Sequence, residues 1–248
     1  MHRRQRCAVV LAAITLCAVA SLVAADNNDD IATGERLAAF LRAGRSVVSS
    51  HQDLINNASI GKKDLTGERV VKEALQIYAE RQGKSASENL SPEDKQLFDA
   101  QVEALREVVD EHQQEIDVKG VGFKGFIPAT FARLVNERFE EKVGDRAKMK
   151  VTAPVELVRN RKARPDAWEQ RIIESKFLSA NWPKGQSYVE EVEMDGRNAF
   201  RMLIPEYYSA SCLACHGKPK GEIDISGYPK EGGAEGDLGG AMSITLFR

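Results

Sequence analysis

The stretch Ser211-Cys212-Leu213-Ala214-Cys215-His216-Gly217 restricts this chain more than any other. Two thiols three positions apart, followed at once by an imidazole, form the attachment pattern of a c-type haem. Each thiol can add across one haem vinyl group, and the histidine then reaches the iron as the proximal ligand. A Cys-x-x-Cys pair also serves as a redox dithiol or as half of a zinc site. The adjacent histidine argues against the dithiol, and the lack of a second cysteine pair argues against zinc. One covalent haem c is therefore expected, with Cys212 and Cys215 as attachment points and His216 on the iron. That expectation depends on export, so the N-terminus bears on the same question.

Residues 1–25 read as a secretory signal peptide. Arg3, Arg4 and Arg6 supply a positive start, Ala8 to Val23 is uncharged, and Val23-Ala24-Ala25 is a small-residue cleavage site before Asp26. The apolar run is shorter than the roughly 20 residues that span a bilayer. Leu16 is too large for the position before a lipidated cysteine at Cys17. The expectation is a soluble, periplasmic or otherwise exported protein, with no stable membrane anchor after cleavage and a single domain over 26–248. Of 35 basic and 37 acidic residues, cleavage removes three arginines and no acid. The resulting mildly acidic chain is not built to bind nucleic acid electrostatically. The four cysteines fall to two, both in the motif, which leaves no structural disulfide and no cysteine as a second iron ligand.

The first part of the chain reads as helical. Leu37, Leu41, Gly44, Val48, His51 and Ile55 recur at helical spacing, predicting a helix over Ile31 to Asn56. Thr66 can cap a second helix, with Val70, Ala74, Ile77 and Tyr78 on one side. Ser91-Pro92-Glu93-Asp94 starts a third, carrying Phe98, Val102, Leu105, Val109, His112 and Ile116. Three glycines and Pro128 break the pattern over 120–128, and a helix follows from about Ala129 to Val143. Strand signals then appear at Met149 to Val158, Ser187 to Met194, Asn198 to Pro205 and Gly240 to Phe247, with Asp195-Gly196 as a hairpin turn. A short helix from Pro165 to Phe177 interrupts them. Lys218 to Gly240 reads as a long glycine-rich loop. The expected class is α+β: a small antiparallel sheet, helices to one side, and the haem motif between the last two strands.

The distal side of the haem is open in this reading. His51 and His112 both lie on apolar helix faces. His51 is the leading sixth-ligand candidate, because Gly44 on the same face leaves room for a porphyrin. His112, a methionine (Met149, Met194, Met202 or Met242) and an exchangeable position remain as alternatives. Arg159 and Arg161, in the densest basic cluster, are candidates for propionate contacts. No hydrolase or phosphate-binding motif is present, and an enzyme is not expected.

Several separated motifs agree in order with one family. These are Phe123-Lys124-Gly125-Phe126-Ile127-Pro128-Ala129-Thr130-Phe131, Arg159-Asn160 with Pro165-Asp166-Ala167-Trp168-Glu169, the Cys212–Gly217 run, and Gly236-Asp237-Leu238-Gly239-Gly240-Ala241. Over about residues 35–247 the chain resembles the c-type haem-binding family long classed as a domain of unknown function, of the cyanobacterial Tll type. The resemblance implies a PAS-like antiparallel sheet with N-terminal helices packed around the haem. It implies redox or diatomic-gas sensing, with NO, CO or O2 as ligands, or soluble electron transfer, and an unknown redox or signalling protein as partner. A peroxidase-like enzyme is a weaker alternative. The family's known type places a cysteine on the first helix as sixth ligand. Here Val47-Val48-Ser49-Ser50-His51-Gln52 has none, leaving His51 or a five-coordinate iron.

Overall fold

Two long inner strands and one long helix organise the molecule. The computed structural model describes residues 5–248, with side chains from Asn28 onward; Arg3 and Arg4 of the expected leader lie outside the described residues. Strands β1 (Ala147–Thr152), β2 (Tyr188–Met194), β3 (Arg197–Tyr207) and β4 (Leu238–Phe247) form one antiparallel sheet in the order β1-β4-β3-β2. The inner strands β3 and β4 are buried nearly end to end, as strands covered on both faces must be. The outer strand β2 alternates between half-buried and exposed residues. Asp195 and Gly196 both take positive φ at the β2–β3 turn, the backbone that a two-residue hairpin of this twist demands.

Helices α1 (Gln5–Ser50), α2 (Gln52–Ile55), α3 (Gly67–Gln82), α4 (Pro92–Glu111), α5 (Gln113–Asp117) and α6 (Pro128–Val143) precede or flank β1. The sequence signals for their starts hold. Thr66 Oγ1 accepts from the Arg69 amide, and Ser91 Oγ accepts from the Asp94 amide. Pro128 opens α6, where a missing N–H costs nothing. Leu37, Phe40, Leu41, Val47 and Val48 of α1 join Phe98, Leu105, Phe131 and Phe139 and the sheet residues Phe200, Met202, Met242 and Ile244 in one core. Each such fully buried side chain contributes about 1.5–3 kcal/mol by area.

Three expectations are corrected. The first strand ends at Thr152 rather than Val158, because Pro154 cannot continue it and Val155–Leu157 turns into a 3-10 helix. The helices are not confined to one side. Helix α7 (Ala167–Ile172) and a π turn over Ile173–Phe177 cover the opposite face through a smaller cluster with Leu203 and Ala241. Gly44 does not open space for a porphyrin. A Cβ there would lie 2.7 Å from Leu105 and 3.2 Å from Phe131, so Gly44 lets α1 approach α4 and α6. The α+β class stands, with an antiparallel sheet of four strands.

Among the described residues no helix is long and apolar enough to cross a membrane. The motif leaves the inner strand β3 directly. A bulge at Glu206/Tyr207 turns the chain out of the sheet. Glu206 is held there by Arg42 and Arg45 of α1, at 2.6 and 2.8 Å. The excursion is pinched at its neck, where the Tyr208 amide donates to Asp237 O at 2.9 Å and the Gly236 amide donates to Tyr208 O at 2.8 Å.

Candidate haem-attachment site

The motif folds as a 3-10 turn over Ala210–Cys212 that runs into a single helical turn, α8 (Leu213–His216). Both cysteines are free thiols of intermediate exposure. Ser209 Oγ lies 3.3 Å from Cys212 Sγ. Burial, and then the Asp224 carboxylate, push the Cys215 thiol above its ordinary range. Gly217 is required after the histidine, since a Cβ there would lie 2.5 Å from Leu213 O.

His216 is the best-fixed residue of the site. Its Nδ1 lies 2.9 Å from Glu231 Oε2, and its ring stacks on Tyr208 at 5.0 Å with an interplanar angle of 20°. A histidine bound to a carboxylate through Nδ1 has Nε2 as its other ligating atom. Tyr208 is itself pressed against glycine backbone. A Cβ at Gly233 would lie 2.7 Å from its ring and one at Gly239 would lie 2.3 Å away. Burial, followed by the Glu231 charge, pushes the Tyr208 phenol up to about 12, so it stays protonated.

Arg159 holds this arrangement together, and all three of its guanidinium nitrogens are engaged. Nε and Nη2 donate to Glu231 at 2.8 and 3.0 Å, Nη1 donates to Asp224 at 2.7 Å, and Nη2 donates to Cys215 O at 2.9 Å. Burial opposes the charge of Glu231, but the hydrogen bonds from Arg159 and His216 hold its carboxyl below the usual range. The same contest at Asp224 is won by Ser226, Arg159 and two backbone amides, which leave it well below that range. Any propionate contact by Arg159 would compete with these partners. Arg161, in a 3-10 turn over Arg161–Ala163, is exposed.

Sequence reasoning points to Cys212, Cys215 and His216 through the motif and to Arg159 only as a propionate contact, whereas Arg159 here bonds Glu231, Asp224 and Cys215 O. It passed over Glu231, Asp224 and Tyr208, because none belongs to a recognisable motif. The one available signal was the glycine density after Glu231, which accommodates Tyr208. The two helix histidines are held by other partners. His51, between α1 and α2, has Nε2 2.8 Å from Glu73 Oε2 on α3. His112 caps α4, with Nδ1 2.8 Å from Val108 O and its ring 5.4 Å from Phe126. Of the four candidate methionines, Met149, Met202 and Met242 lie in the main core, while Met194 is half-buried at the end of β2.

The residues present suit a covalently attached haem. Two unpaired thiols and an imidazole with one nitrogen already oriented by a carboxylate are the donor set that covalent haem attachment uses. No curated protein and no solved structure matches the chain. A family model described as Tll0287-like matches residues 82–246, more than half of the chain, and on that match the chain belongs to the Tll0287-like family.

Proposed function

We propose that this chain is an exported protein carrying one haem c, and that it serves as a redox- or diatomic-gas-sensing module on a PAS-like sheet. The observation that carries the reading is the pairing of His216 Nδ1 with Glu231 beside two free thiols in one helical turn. Cys212 and Cys215 would carry the thioether bonds, and His216 would offer Nε2 as proximal ligand. A bound haem would supply a reversible one-electron change and an axial position for NO, CO or O2. Arg159 and Glu231 fix the tautomer of His216, and the stacked Tyr208 ring limits its rotation. The charged, uncharged and small-residue segments of 1–25 support export to the periplasm.

The sensing reading draws on the distal candidate. His51 would have to give up Glu73 to offer Nε2 to an iron, which favours an exchangeable sixth position over a permanently filled one. Covalent attachment is tested by a haem stain that survives denaturation, with loss in Cys212→Ala/Cys215→Ala; a chain that sheds its haem on denaturation refutes it. Gas access is tested by difference spectra of the ferrous protein with CO and NO. Fast binding is expected, and His51→Ala should accelerate it further if His51 competes. A spectrum that neither gas alters would favour electron transfer instead.

A further inference from the structure

The loop that follows the motif doubles back on itself as a narrow finger. The Gly221 amide donates to Lys230 O at 2.9 Å, the Lys230 amide donates to Glu222 O at 2.8 Å, and Ile223 bridges Pro229. At the tip the Asp224 amide donates to Tyr228 O at 2.9 Å, and Gly227 takes positive φ to close the turn. The finger is fixed at its root. Asp224 is buried and accepts from Arg159 at 2.7 Å, and the Arg159 guanidinium lies over the Tyr228 ring at 5.4 Å. Three large apolar side chains nevertheless project into solvent. Ile223 and Ile225 are 62% and 63% exposed, the most of any large apolar side chain among the described residues, and Tyr228 is 45% exposed.

Charge is arranged along the same finger. Lys218 and Lys220 are exposed and pair with no carboxylate among the described residues. Glu222 is taken by Lys230 at 3.3 Å, and Asp224 by Arg159. The finger is therefore apolar at its end and positive along its flank, on a chain with more acidic than basic residues. Exposed apolar side chains grouped in this way mark a docking surface. A specific protein interface takes roughly 800 Å² from each partner, more than three side chains on a narrow finger supply. A bilayer asks for less: a few apolar side chains among the headgroups, an aromatic ring at the interface, and lysines near anionic phosphates. We propose that residues 218–230 dock this protein reversibly on an anionic phospholipid surface, with Ile223, Ile225 and Tyr228 entering the headgroup layer and Lys218 and Lys220 facing its phosphates. Docking of this kind needs no haem on the neighbouring cysteines, so it stands or falls apart from the haem reading.

The test is co-sedimentation of the full chain with vesicles of phosphatidylcholine alone and of phosphatidylcholine and phosphatidylglycerol in equal parts. Binding to the anionic vesicles is expected, weakening as salt is raised. Ile223→Ser/Ile225→Ser and Lys218→Gln/Lys220→Gln should each weaken it about tenfold, with thermal midpoints unchanged because all four side chains are exposed. Cys212→Ala/Cys215→Ala should bind as the unsubstituted chain does. Absence of binding to the anionic vesicles would hand the finger to a protein partner and overturn the proposal, as would equal binding by all the variants. Binding by Cys212→Ala/Cys215→Ala alone would make the finger a cover for the haem and overturn it too. Insertion itself is read from Ile225→Trp, whose emission should shift to the blue with anionic vesicles relative to the unsubstituted chain; an unmoved spectrum would count against the site as firmly as failed sedimentation.

Discussion

Two histidines of this chain each face a glutamate, and the two pairs are built from different material. His51 meets Glu73 on the surface of packed helices, where Glu73 also takes Arg69 from one turn earlier at 2.8 Å. His216 meets Glu231 inside an irregular loop, where Glu231 is clamped by Arg159, 72 residues away in sequence. Regular backbone bonds and an apolar core support the first pair. The second depends on a cation imported from another segment, because the loop has few apolar contacts to order it. Ionic partners thus matter little where helices set the geometry and decide it where they do not.

The sharpest way to break this comparison is to remove the cations. Arg159→Met takes the one cation from buried Asp224 and half-buried Glu231, leaving Asp224 to Ser226 and backbone amides and Glu231 to His216. We expect a cost of about 3–5 kcal/mol to the order of the loop, read as faster amide exchange over 216–232. Arg69→Met, at an exposed i,i+4 pair, should cost less than about 1 kcal/mol. Equal effects would show that the loop is ordered by something other than Arg159. Glycine substitutions come next. Gly239→Ala drives a methyl into the Tyr208 ring and should cost about 1–3 kcal/mol, seen as a lower midpoint of thermal unfolding. Gly44→Ala meets the movable end of Leu105 and regains about 1 kcal/mol of helix propensity, so its midpoint should hardly move.

Charge at the histidine gives a smaller, more specific signal. With haem attached, Glu231→Gln removes negative charge from His216, and the reduction potential should rise by roughly 60 mV, the equivalent of about 1.4 kcal/mol. Glu73→Gln should leave the potential where it was. The smallest effect is on pH. Burial opposes the charge of Glu73, but Arg69 and His51 hold its carboxyl below the ordinary value. Its contribution is therefore present above the usual carboxylate range and lost as pH falls through its folded value. After screening at this partly exposed site the loss should be about 0.5 kcal/mol. It would appear as a shallower acid-unfolding profile in Glu73→Gln; parallel profiles would remove Glu73 from the account.

What was legible in the sequence follows the range of the interactions involved. Thr66 and Ser91 mark helix starts through bonds reaching three residues, Pro128 through its own fixed backbone, and Asp195-Gly196 likewise marks a hairpin. The cysteines and His216 are likewise a local pattern. Glu231 was not legible, since its meaning comes from Arg159 and His216, which only the fold brings together. Gly44 misled for the same reason. A glycine on an apolar face leaves space, and the sequence does not say whether Leu105 or a cofactor fills it.

The pinched neck of the motif loop has one more consequence. Because Tyr208 is bonded to both Gly236 and Asp237, the path from β3 to β4 is closed before the excursion begins. Loop closure depends only weakly on length once the ends are joined. Residues 209–235 can thus be lengthened, shortened or exchanged as a cassette without moving the strand register. The sheet's register is independent of the motif, while the motif's own geometry still needs Arg159 from outside the segment.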